Sequence, residues 1–145
     1  MGRRCPKILL VEDNTAVAFT LKEGIEQFCA AEVVCAETGN QAKHILLTQQ
    51  IDLALIDTAL PDIIGFEIAN EAVHNDVPVL LISGFVHHQQ IAILCGFPFL
   101  HKPLHPSKLA ALAMATIADA ATNINDVKKS YEKLQGTRRG VNTIP

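Results

Sequence analysis

Three short runs, "ILLV" at 8–11, "LALI" at 53–56 and "VLLI" at 79–82, are apolar at every position. A strand with one wet face alternates apolar and polar residues, whereas a strand covered on both faces does not. Unbroken apolar runs of this length therefore point to central parallel strands with helices above and below. "EVVCA" (32–36) and "FPFLH" (97–101) are weaker strand candidates, and the segments between all five are long enough for crossover helices. In the first of these, Asn14 or Thr15 is a natural N-cap, and Val17, Leu21, Ile25 and Phe28 recur at spacings of four, four and three, which predicts one face lying on the sheet. Further helices are expected at about 40–48, 64–74, 86–95 and 106–121. Five strand–helix units joined by right-handed crossovers make an α/β fold, a doubly wound five-stranded parallel sheet with helices on both faces.

The chain has 145 residues, 49% of them hydrophobic, enough for one domain with a real core and too few for two ordinary ones. A net charge of -3 argues against direct nucleic-acid binding or attraction to an anionic membrane. Cys5, Cys29, Cys35 and Cys95 form no CxxC pair and mostly flank apolar segments, so packed free thiols in a reducing cytoplasm are expected. The start, "MGRRCPK", carries neither an export signal nor a myristoylation signal, since Pro6 stands where Ser or Thr is needed.

In sheets of this kind chemistry collects beyond the carboxyl ends of the strands. Here the first run is followed by Glu12-Asp13, the third strand ends at Asp57, the fourth runs into Ser83-Gly84, and the fifth is followed by Lys102-Pro103. An ionised carboxylate at the end of a buried segment needs a compensating cation or donors. Three carboxylates at one edge repel one another unless a hard divalent cation is shared, and an all-oxygen ligand set favours magnesium. Lysine and serine suit the oxygens of a phosphoryl group, so Asp57 reads as a phosphate acceptor. Each residue alone has a plainer reading: a turn for Asp57, a helix cap for Ser83, a solvated charge for Lys102, a core ring for Phe99. The shared sheet edge favours the chemical one for Asp57, Ser83 and Lys102, while Phe99 keeps its reading as a core ring. His87, His88, His101 and His105 have no clear helical ligand pair and no cysteine at zinc spacing, and they read as surface or packing residues.

With these residues in place, the chain resembles the receiver domain of two-component response regulators, over about residues 6–121. The resemblance rests on Glu12 and Asp13, Asp57 in "IDTALPDIIG", Ser83 in "LLISG" and Lys102 in "FLHKP". It implies the flavodoxin-like strand order 2-1-3-4-5 and a cytoplasmic phosphoprotein rather than an enzyme. By the same resemblance, Asp57 takes a phosphoryl group from a phosphohistidine of a sensor histidine kinase or phosphotransfer protein. Glu12 (through water), Asp13, Asp57 and the backbone carbonyl of Ala59 are then the magnesium site. Ser83 and Lys102 hold the phosphoryl oxygens, Ser83 and Phe99 form the switch, and Lys102-Pro103 is expected to be cis. Positions 59 and 85 flank the path of the water that removes the phosphoryl group; with Ala59 and Phe85 there, a long-lived phosphorylated form is expected.

The chain departs from the family pattern at Ile64, where many receivers carry Asp, in a loop 96–102 one residue shorter than usual, and in the apolar pair Phe85-Val86. Two alternatives follow: a pseudo-receiver that binds partners without phosphate, and a phosphatase with an aspartate nucleophile. Against the phosphatase, the haloacid dehalogenase type needs a second acid two residues on, where Ala59 stands. With the receiver at 1–121, the remaining 122–145 is too short for a separate output domain, so a stand-alone regulator acting by contact on a downstream target protein is expected. In that tail Ile124, Val127, Tyr131 and Leu134 make one apolar stripe, closed by Gly136, which predicts an extra C-terminal helix. A short helix needs a surface to cover, either its own domain or a second copy, and a homodimer through 122–136 is the favoured expectation.

Overall fold

The computed structural model describes residues 4–121 of the chain. Strands β1 (Lys7–Val11), β2 (Glu32–Ala36), β3 (Leu53–Asp57), β4 (Val79–Ser83) and β5 (Phe99–His101) alternate with helices α1 (Thr15–Phe28), α2 (Gly39–Thr48), α3 (Gly65–His74) and α4 (Val86–Cys95). A fifth helix, α5, runs over 106–121. All strand pairs are parallel and the order is β2-β1-β3-β4-β5, as expected.

The apolar runs became strands because both their faces are covered. Within β1, Leu9 and Val11 pack with residues of α2, α3 and α4, while Ile8 and Leu10 pack with α1 and α5. Every residue of β3 and β4 is buried, including the terminal Asp57 and Ser83. The outer strands β2 and β5 are less covered, which is why their sequences are less uniformly apolar. At α1, Asn14 is the N-cap, its side chain accepting from the N–H groups of Ala16 and Val17 at 3.1 Å each.

Two sequence expectations need correction. Phe28 does not lie on the sheet: it is 53% exposed, because it is the last residue of α1, past the buried stretch formed by Ala18, Leu21 and Ile25. The cysteines are free thiols, but Cys5, Cys35 and Cys95 are exposed rather than packed, the flanking apolar neighbours taking the buried positions. No helix among the described residues is long and apolar enough to cross a membrane. The apolar stripe at 124–134, and the dimer reading attached to it, lie outside the described residues.

Candidate functional site

Register delivers the polar residues to one edge. Val11 pairs with Ile56, so Glu12 follows beside Asp57; Asp57 pairs with Ile82, so Ser83 stands next; Ser83 pairs with His101, so Lys102 comes after it. Backbone bonds carry the ladder past the strand ends, Glu12 N–H to Ala36 O at 3.0 Å and Lys102 N–H to Ser83 O at 2.9 Å. The Lys102–Pro103 peptide is cis.

The Lys102 ammonium donates to Asp57 Oδ2 at 2.8 Å and to Glu12 Oε1 at 2.9 Å. Asp57 Oδ1 accepts from the N–H of Ala59 at 2.9 Å, at the exposed start of the β3–α3 loop. Asp13 is exposed, and one carboxylate oxygen from each of Glu12, Asp13 and Asp57 lies within 4.8 Å of the others. Glu12 Oε2 is buried with no hydrogen-bond partner among the described residues. Burial, then the neighbouring Asp57, pushes the Glu12 carboxyl up to about 7, with Lys102 pulling the other way. For Asp57 burial also raises the pKa, but the neighbouring Glu12 carboxyl, with the Lys102 and Ala59 N–H hydrogen bonds, outweighs it and leaves the carboxyl below its ordinary value. Lys102 is held above its ordinary value, since its bonds to Asp57 and Glu12 exceed the effect of burial. The edge thus keeps an ionised, nucleophilic carboxylate beside one cation, with surplus negative charge around it.

A divalent cation fits this donor set. The oxygens are hard, three carboxylates cluster where Lys102 pairs with two of them, and an orphaned buried carboxylate oxygen has lost water without gaining a donor. Phe99 opens β5, partly buried against the α2–α4 side of the core and paired with Leu81. Phe85 precedes α4 and is 52% exposed; Ile64 is 58% exposed.

A family model for the response regulator receiver domain matches residues 8–114. The chain belongs to the response regulator receiver family. Among curated relatives, this receiver is 28% identical over 125 residues to a probable transcriptional regulatory protein, SilR, of Salmonella typhimurium, covering 83% of this chain and 54% of that one. It is 31% identical over 81 residues, 53% of this chain and 18% of the relative, to a probable cyclic di-GMP phosphodiesterase of Vibrio cholerae. The receiver spans about half or less of the length of these relatives. Among solved structures it is similar to the receiver domain of a putative Luxo repressor protein from Vibrio parahaemolyticus, with a TM-score of 0.74 and 26% identity over 86% of this chain and 97% of that one. A CheY-like receiver from Methanospirillum hungatei shares the fold, with a TM-score of 0.74 at 22% identity over 83% of this chain and 99% of that one.

Glu12, Asp13, Asp57, Ala59, Ser83 and Lys102 thus come to one edge of the receiver, with Phe99 at the start of the adjoining strand. Two residues escaped the sequence reading. Thr58, 1% exposed, and His88, read as surface or packing, meet at this edge: Thr58 Oγ1 is 2.6 Å and Ser83 Oγ 3.2 Å from His88 Nδ1. The signal was available for Thr58, since a residue after Asp57 must neighbour Ser83 on the next strand. For His88 it was not, because the start of α4 depends on tertiary contacts: no side chain caps that helix.

Proposed function

We propose that the receiver, residues 1–121, is a phosphoacceptor in a two-component phosphorelay. A sensor histidine kinase or phosphotransfer protein donates to Asp57, and the result is read by a downstream target through contact. The observation that carries this is Lys102 bridging Glu12 and Asp57 beside the orphaned Glu12 Oε2. In the transfer an Asp57 carboxylate oxygen bonds to phosphorus as the donor's P–N bond breaks, and the imidazole nitrogen leaves with the electron pair. Lys102 offsets the charge on the phosphoryl oxygens, and the Ser83 hydroxyl donates to one of them. Glu12, Asp13, Asp57 and the Ala59 carbonyl would hold magnesium, which when bound supplies charge neutralisation at the phosphoryl oxygens. Phe99 follows Ser83 as the switch ring, and exposed Phe85, Val86, Ile93 and Leu94 offer apolar surface nearby for the target. A cytoplasmic setting belongs to the same reading, in keeping with four free thiols.

Incubation with acetyl phosphate, with and without magnesium, tests it. Label that appears only with magnesium supports the reading; no label from acetyl phosphate or from any phosphorylated kinase favours the pseudo-receiver.

A further inference from the structure

One ring nitrogen joins the residue after the acceptor to the residue that is to receive the phosphoryl oxygen. His88 Nδ1 lies 2.6 Å from Thr58 Oγ1 and 3.2 Å from Ser83 Oγ. The ring is held in place by Phe66 edge-on at 6.0 Å and Phe85 at 5.1 Å, and the His88 backbone N–H donates to the Phe85 carbonyl at 3.2 Å. We propose that His88 is a positioning residue that latches Ser83 to Thr58 in the unphosphorylated protein, so that Ser83 leaves His88 before its hydroxyl reaches a phosphoryl group on Asp57. The inference rests on the reading of Asp57 and Ser83 just given.

Counting protons carries it. The Ser83 hydroxyl has one proton and two lone pairs, and the Phe85 N–H at 3.0 Å takes one of the pairs. Thr58 is 1% exposed, and among the described residues its hydroxyl meets His88 alone. A buried O–H with no acceptor costs more than an unfilled lone pair, so Thr58 donates and Nδ1 accepts. That requires a neutral ring. Burial, then the neighbouring His87, hold the ring below its ordinary pKa, with Asp57 acting the other way. The single lone pair of Nδ1 is therefore shared by two hydroxyl protons, the shorter contact belonging to Thr58. A phosphoryl oxygen, being charged, is about twice as strong an acceptor and takes the Ser83 proton. Thr58 then has Nδ1 to itself, which eases the release and keeps the ring in place.

The substitutions have opposite expected signs. With acetyl phosphate and magnesium, His88→Leu should raise the initial labelling rate by about 2- to 10-fold, the worth of one hydrogen bond. Thr58→Val gives Ser83 the whole lone pair and should slow labelling. His88→Asn, whose amide oxygen reaches the place of Nδ1, should stay near wild type. In a Ser83→Ala background, His88→Leu should change nothing. A folded His88→Leu protein that labels no faster, a Thr58→Val protein that labels faster, or an undiminished His88→Leu effect without Ser83 overturns the latch. If His88→Leu does not fold, the Thr58→Val and His88→Asn rates decide it. Asp57→Asn separates the two levels: label retained there defeats the acceptor reading and the latch with it, whereas label lost there with His88→Leu unchanged defeats the latch alone.

Discussion

Lys102 Nζ donates to Asp57 Oδ2 at 2.8 Å from the far side of β4, closing a gap of 45 positions in sequence. The same ammonium serves Glu12, so one cation pairs with two of the three acids clustered at this edge. Burial first, and then the neighbouring Asp57, push the Glu12 carboxyl up to about 7 despite Lys102. An edge built this way is poised for a further positive charge, and most of its measurable behaviour follows from that.

Magnesium should raise the thermal midpoint. A ligand bound only by the folded state adds about 2.7 kcal/mol at a hundredfold excess over its Kd. Asp13→Asn removes one hard ligand and should shrink the shift. Calorimetry with magnesium and with a chelator checks this, and an equal shift in both proteins would remove Asp13 from the site.

Gly65→Ala should damage the acceptor strand. A Cβ at that position would collide with the carbonyl oxygen of Asp57 and lie 2.7 Å from Thr58 Cα, backbone atoms that cannot swing aside. Overpacking of this kind costs about 1–3 kcal/mol. Urea unfolding should show the loss and labelling of Asp57 should slow; unchanged stability would mean that the β3–α3 loop yields freely.

His88 should titrate below 6.5, its ordinary value, because burial and the neighbouring His87 disfavour the imidazolium more than Asp57 favours it. The sign for stability follows. With the folded pKa depressed, the contribution is complete above 6.5 and is lost as pH falls through the lower folded value. Nitrogen-detected NMR of the ring across this range reads the pKa directly, and a value at or above 6.5 contradicts the effect of burial and His87 on the ring.

The strands and the site were legible for one reason. Burial on both faces forces "LALI" and "VLLI" to be apolar throughout, so the first polar residue after such a run marks the sheet edge, as Asp57 and Ser83 do. Parallel register then brings Lys102 to them without any local signal of its own. Phe28 was misplaced because helical spacing gives a face but not where the sheet beneath it stops. The contact between His88 and Thr58 was hidden for a related reason: it joins an uncapped helix start to a strand end 30 positions earlier, and only the packed fold sets that distance.

Ala59→Asn should shorten the life of the phosphorylated form severalfold. Ala59 is exposed beside Asp57, and its side chain can neither donate to nor accept from an attacking water. The amide of asparagine can do both. Decay of the phosphorylated protein, followed by intact mass after donor removal, checks this; an unchanged rate would place the limit elsewhere, with the apolar Phe85 the next position to alter.

The account stands or falls on where the phosphoryl group goes. After incubation with acetyl phosphate and magnesium, peptide mass mapping of the wild-type receiver should find one phosphoryl group on Asp57, and the folded Asp57→Asn protein should carry none. Stoichiometric label on Asp57→Asn, or label mapped to Glu12, Asp13 or His88 in the wild type, would contradict the assignment of Asp57 as the acceptor.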